Sequence, residues 1–183
     1  MSAHSLRVRT ASALIGAMTE MEIAEIETYI VNPDTPEIDI CARWRAETFS
    51  VLEASVEQER RALNRFAADQ TRQVALIAKR GTVPVGTCLL VPSEIAPNHQ
   101  VSPWLAGLFV TPEHRRHGAG AVLVRAIEAQ AHLRGFARIF LYTISAAGFY
   151  QRLGWDLVEH TDWKGFGRTA FMSRTIRSMS PQP

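Results

Sequence analysis

The chain has 183 residues, 46% of them hydrophobic and 21% charged, with a formal net charge of +2. That length suits one domain with a sizeable core, and the charge is too small to argue for nucleic acid or an anionic membrane as a partner. No apolar run reaches the ~18 residues of a membrane span, and the apolar stretch over residues 13–18 is shorter than the core of an export signal. Cys41 and Cys88 lack metal-type spacing and read as reduced core thiols, so the expected location is cytoplasmic.

Residues 1–20 show no clear period and read as a flexible N-terminal extension, with Met18 or Met21 as alternative starts. Residues 21–177 then form a single domain, and 178–183 a C-terminal tail. Ile23, Ile26, Tyr29, Ile30 and Val31 mark a first strand over 23–31, and Asn32-Pro33-Asp34 turns the chain. Thr35 before Pro36 has the form of an N-cap with proline at the first helical position. Cys41, Trp44, Thr48, Val51 and Leu52 follow at helical spacing. Ser55 and Gln58 form a capping box for a second helix, with Leu63 and Phe66 on its inner face.

Strands over 73–79 and 83–91 form a hairpin around Arg80-Gly81-Thr82, with an irregular start to the second strand at Pro84 and Gly86. A loop over 92–102 leads to a strand at 104–110, a helix at 121–134 and a strand at 137–143. A short helix over 146–153 stops at Gly154, and strands at 155–161 and 169–176 follow. On the long helix the apolar stripe is predicted at Val122, Ala126, Ala129 and Leu133, widened by Leu123 and Ile127, with Arg125 and Glu128 facing out.

The chemistry concentrates in the run Arg115-Arg116-His117-Gly118-Ala119-Gly120, between the apolar strand and the long helix. A glycine-rich turn opening a helix leaves backbone N–H groups unpaired at the positive end of the helix dipole. That is an anion site, and phosphate suits it. Gly118 and Gly120 let a bulky pyrophosphate come close, and the two arginines keep their charge at every physiological pH. No Lys-Ser or Lys-Thr follows the glycines, which excludes a mononucleotide P-loop. A dinucleotide fingerprint would place a third glycine at Leu123 and an acid within 138–142, and neither is present.

After the next strand come Phe149-Tyr150-Gln151-Arg152-Leu153-Gly154-Trp155. The two motifs together, with the lead-in of Leu108, Val110 and Pro112 before Arg115, resemble the GNAT superfamily of acyl-CoA-dependent N-acetyltransferases. The resemblance implies an α/β (α+β) fold with a mixed, mostly antiparallel central sheet, helices on both faces, and the order β-α-α-β-β-β-α-β-α-β-β. It implies acetyl-CoA as co-substrate. Its pyrophosphate would lie on Arg115, Arg116, His117, Gly118, Ala119, Gly120 and Ala121, and its pantetheine arm along the main chain of Leu108, Phe109 and Val110. One N–H of that strand would face the thioester oxygen, and Tyr150 would protonate the leaving thiolate. The family's frequent asparagine before the tyrosine has no counterpart here; Ser145 stands in that stretch.

The general base is not fixed by any motif. Glu94 and His99, in the loop before the 104–110 strand, are the candidates, each against a reading as an ordinary loop residue. His114 and His117 lack a third partner, so no metal is expected. Trp44 and Trp104 read as core. Trp163 and Phe166, in the glycine-bearing loop between the last two strands, are placed at the acyl acceptor or at a second subunit of a homodimer. The reading is transfer of an acetyl group to a small-molecule amine by direct attack. Alternatives are a protein or peptide acceptor, or a module that binds acyl-CoA as a sensor without turnover.

Overall fold

The computed structural model describes residues 25–49, 54–94 and 97–176. The N-terminal extension, Met18, Met21, Val51, Leu52 and the C-terminal tail lie outside these residues. The strands are β1 (Ile26–Ile30), β2 (Val74–Arg80), β3 (Val83–Val91), β4 (Trp104–Val110), β5 (Arg138–Thr143), β6 (Asp156–Asp162) and β7 (Arg168–Thr175). The helices are α1 (Pro36–Thr48), α2 (Val56–Ala68), α3 (Ala119–Leu133) and α4 (Ala147–Arg152), with a 3₁₀ turn at Pro112–His114. Among the described residues no helix is long and apolar enough to cross a membrane.

The seven strands form one sheet in the order β1-β2-β3-β4-β5-β7-β6. Every neighbouring pair is antiparallel except β4 and β5. The mixed, mostly antiparallel sheet with helices on both faces is the predicted architecture. β2 shows why its VALIA run is uniformly apolar. Val74, Leu76 and Ala78 face the cluster that holds Leu123, Val124 and Ile127 of α3, while Ala75 and Ile77 face Ile38 and Cys41 of α1 and Leu63 of α2. A strand buried on both faces cannot alternate. On β5, Ile139 and Leu141 join the α3 cluster. Phe140 and Tyr142 therefore lie on the opposite face of that half of the sheet, where they contact Trp104 and Phe171.

The capping box of α2 is present: Gln58 N–H donates to Ser55 Oγ and Ser55 N–H donates to Gln58 Oε1. Thr35 occupies the N-cap of α1 with extended backbone, but its hydroxyl donates back to Asn32 O at 2.8 Å instead of capping the helix. The stripe of α3 differs from expectation. The buried positions are Ala119, Leu123, Val124, Ile127 and Ala131, while Leu133 is 75% exposed. Apolar residues occur on nearly every face of this helix, so spacing alone does not select the inner one. Glu128 does not simply face out. It accepts Trp155 Nε1–H at 2.9 Å and pairs with Arg125 at 2.8 Å.

One irregularity shapes the sheet. Thr87 of β3 pairs with Phe109 of β4, but Leu89 pairs with Ala106, so β4 carries one residue more than β3 over this stretch. The bulge falls at Gly107, whose φ is +59°. A Cβ there would lie 2.9 Å from Arg45 Nη1 and 3.8 Å from the Phe49 ring. Arg45 is held in place by an ion pair to Glu59 at 2.8 Å, with both side chains largely buried. On the other side of the bulge, β4 and β5 share a single register pair, Trp104 with Phe140, and Phe140 N–H donates to Pro103 O. Beyond it the two parallel strands part.

Gly107→Val should therefore destabilise the fold in two ways: backbone strain of about 1–3 kcal/mol, and displacement of Arg45. Calorimetry should show the melting temperature falling by roughly 2–4 °C for each kcal/mol in a domain of this size. An unchanged melting temperature would show that the bulge does not require glycine.

Candidate active site

The parted strands open toward the start of α3. After β4, Thr111 N–H donates to Val85 O, and the 3₁₀ turn delivers the chain to Arg115. Arg116 at φ 65° and Gly118 at φ 90° are both left-handed, which coils the turn tightly before the helix begins at Ala119. The amides of Ala119, Gly120 and Ala121 in the first turn have no intrahelical acceptor. No acidic side chain sits in that turn, whereas α1 has Glu37 and Asp39 in its first turn and α2 has Glu57 and Glu59. Unlike those of α1 and α2, the positive pole of this long helix is left without a carboxylate of its own.

Gly120 joins the parts of the site. A Cβ there would lie 3.3 Å from Phe149 Cζ and 3.8 Å from Val110 Cγ2, so the helix start, α4 and the end of β4 meet at one point. Arg115 donates from Nε to Val110 O at 3.0 Å, fixing the end of β4, and its guanidinium carries further donors. Arg116 and His117 are exposed beside it. His114 is bonded to Thr111 Oγ1 at 2.9 Å. Among the described residues, no group of three or more His, Cys, Asp or Glu is arranged to hold a metal.

Tyr150 lies in α4, 5% exposed, edge-on to both Phe149 and Trp155. Burial holds its phenol well above the ordinary value of 10.0. It is a proton carrier that stays protonated across the physiological range. Ser145 is exposed just before α4, and the turn there is closed by Thr143 Oγ1, which accepts Ala146 N–H at 3.1 Å.

On the opposite face of the sheet the structure gathers His99, Trp163 and Phe166. His99 stacks on Phe171 with ring centroids 3.7 Å apart. Its Nδ1 lies 2.6 Å from the Tyr142 hydroxyl and its Nε2 lies 2.8 Å from Glu159 Oε1. Tyr142 stacks on Trp163 at 5.1 Å, and Trp163 contacts Phe166 at 5.9 Å. Glu94 and Glu159 are near enough for their charges to raise the Tyr142 phenol, though burial is the larger cause. Trp104 is fully buried, as expected of a core residue. Trp44 is only half-buried and packs against Phe109 of β4 at 5.4 Å, so it walls the cleft from the α1 side. A hollow of about 930 Å³ at the far end of α3, lined by Arg125, His132 and Arg174, contains none of the predicted site residues.

Tyr142, Glu159 and Arg45 were not singled out by the sequence reading. Alternation along β5 places Tyr142 on the face opposite Ile139 and Leu141. Arg45 stands four residues after Cys41, a charge on the inner stripe of α1. Glu159 gave no signal, because β6 is exposed along nearly its whole length.

A sheet that parts beside an acid-free helix start, with a buried tyrosine alongside, is a cleft for an extended ligand ending in a strong anion. The chain belongs to the acetyltransferase (GNAT) family, whose model matches residues 38–155, well over half of the sequence. No curated protein matches the sequence. An aminoglycoside 6'-N-acetyltransferase complexed with coenzyme A is similar in structure, with TM-score 0.67, 17% identity, and coverage of 86% of this chain and 99% of that one. The aminoglycoside 6'-N-acetyltransferase from Enterococcus faecium gives TM-score 0.63, 18% identity, and coverage of 86% and 99%. A Salmonella typhimurium structure determined with its cofactor acetyl-CoA gives 0.64, 14%, and coverage of 86% and 98%. At these identities the likeness speaks for the fold.

The burial of Tyr150 has a measurable consequence. Below pH 10 the folded and unfolded chains both keep the phenol proton. Above it the unfolded chain loses the proton first, so stability falls as pH rises, by up to about 1.4 kcal/mol per pH unit. Cys41 and Cys88, also raised by burial, contribute in the same direction. In urea titrations at pH 9 and pH 11, Tyr150→Phe should lose about 1 kcal/mol less than the wild type between the two. Equal losses would place the phenol in water.

Proposed function

We propose that this protein transfers an acetyl group from acetyl-CoA to the amine of a small molecule by direct attack, in the cytoplasm. The observation that carries the reading is the parting of β4 from β5 beside the start of α3. It combines an unpaired strand edge, for an amide-bearing arm, with an anion site at its end. Names of the similar structures support a small amine, since two of them are aminoglycoside N-acetyltransferases.

When bound, acetyl-CoA supplies an activated thioester. The amides of Gly118, Ala119, Gly120 and Ala121, with Arg115, Arg116 and His117, hold the pyrophosphate. The main chain of Leu108, Phe109 and Val110 pairs with the pantetheine arm, in the manner of a strand added to a sheet edge. One N–H of that strand faces the acyl oxygen, where a fixed donor counters the charge that develops; losing such a donor costs about 10²–10³ in rate. With acetyl-CoA bound, Tyr150 would hold its proton for the departing sulfur. A phenol whose pKa is raised by burial is a weak acid, but the thiolate needs only a shared proton as the bond breaks. Ser145, exposed just before α4, takes the cofactor contact that the family's asparagine would make. Trp163 and Phe166 line the approach of the acceptor or face a second copy of the chain.

Two variants test these roles. Gly120→Glu adds bulk against Phe149 and negative charge at the anion site, so coenzyme A should no longer raise the melting temperature of the folded variant. Retained stabilisation would remove the cofactor from this turn. Tyr150→Phe should lower turnover by about 10²–10³. Coenzyme A binding should change little, because one neutral hydrogen bond contributes about 0.5–1.5 kcal/mol. Steady-state kinetics beside calorimetric binding checks both, and near-normal turnover would take the proton-donor role away from Tyr150.

A further inference from the structure

We infer that Tyr142, His99 and Glu159 form a proton relay that deprotonates a cationic amine acceptor before it attacks. The inference rests on the acetyl-transfer reading and names the base that the reading leaves open.

The relay follows from which groups can donate. Glu159 is a carboxylate on an exposed edge strand and accepts only, so His99 Nε2 carries the proton of the 2.8 Å contact. In the neutral imidazole Nδ1 then has a lone pair, and it accepts the Tyr142 O–H at 2.6 Å. Asn98 N–H donates to the same hydroxyl oxygen at 3.1 Å. The backbone N–H of His99 is a second donor to that oxygen, and an incoming ammonium takes its place. Asn98 is itself anchored by bonds to Thr161 Oγ1 and Asp162 O, each 2.9 Å, and His99 by its stack on Phe171. The loop before β4 is therefore pinned to β5, β6 and β7 at the point where it presents the imidazole.

The surroundings suit an ammonium. Tyr142 stands on β5 beyond the last pair with β4, on the sheet face opposite α3. Its ring is stacked on Trp163, and Lys164 Nζ lies 4.7 Å from the Trp163 ring centre, so the ring already holds one ammonium, whose place a cationic acceptor would take. The titratable groups shown against His99 are Glu159 from β6 and Tyr142 from β5, with the uncharged Phe171 ring from β7; Glu94 acts on Tyr142, and Lys164 stands over Trp163 beyond it. Glu159 Oε1 stands 2.8 Å from Nε2, on the side away from Tyr142. In the step itself the ammonium gives a proton to the Tyr142 oxygen as the Tyr142 O–H proton passes to His99 Nδ1. The products are a neutral amine with a free pair, an unchanged tyrosine, and an imidazolium bridging Tyr142 and Glu159. Tyr142 touches the acceptor; His99 and Glu159 act through it.

The test uses the full chain with acetyl-CoA and the primary alkyl amine that the wild type acetylates fastest. Turnover is followed from pH 6 to pH 10, with coenzyme A binding measured beside it. His99→Gln should lose about 10²-fold in kcat/KM at pH 7, within the usual contribution of a general base. The loss should shrink to a few-fold near pH 10, where an amine of pKa about 10.4 increasingly arrives neutral. Glu159→Gln, on an exposed strand where folding is not at risk, should show the same shape with a loss of about tenfold. Coenzyme A binding should be unchanged in both. A pH-independent loss, or weakened coenzyme A binding, would make these residues structural and overturn the relay. So would an unchanged rate at pH 7. A wild type that binds coenzyme A but releases no thiolate with any amine would overturn the acetyl-transfer reading, and the relay with it.

Discussion

The extra residue at Gly107 is the constraint on which the rest depends. A parallel pair inside a sheet normally satisfies the backbone groups of both strands along their whole length. Here the bulge turns β4 away from β5 after one register pair. The inner edge of β4 is left with donors and acceptors in the middle of the molecule, where unpaired backbone groups are costly. An exposed strand edge is usually a liability. In this position Arg115 Nε takes Val110 O, and the rest of the edge has the form of a template for an added strand.

The bulge is held from outside as well. Arg45, paired with the largely buried Glu59 and lying against Phe49, stands 2.9 Å from where a Gly107 side chain would begin. A buried ion pair contributes little net stability by itself, but losing one partner strands the other charge. It ties α1 to α2 beside the bulge in β4. The two faces of the sheet then divide the chemistry. On the α3 side are an uncompensated helix start and a proton-bearing tyrosine; on the other are rings, carboxylates and an imidazole.

Much of this was legible in the chain. The capping box of Ser55 and Gln58, the hairpin with its irregular start, and the order of strands and helices follow from local rules that tertiary packing did not override. The tight turn that opens α3 was legible because glycine pairs before a helix have a narrow conformational meaning. The inner face of α3 was not, because Ala, Val, Leu and Ile surround the helix and spacing cannot rank them. Gly107 inside an apolar strand was itself a bulge signal, but its effect on the neighbouring strand depends on pairing that no single segment encodes. The same holds for Tyr142, His99 and Glu159, which are far apart in sequence and meet only because β7 inserts between β5 and β6.

The central claim is that the cofactor completes the inner edge of β4. Amide hydrogen exchange, read residue by residue with and without coenzyme A, tests it most directly. Saturating coenzyme A should slow exchange within Leu108, Phe109 and Val110 and at Gly118, Ala119, Gly120 and Ala121, while the amides of β6 change little. Binding shown by calorimetry with no protection along β4, or with protection confined to another part of the chain, would contradict the account.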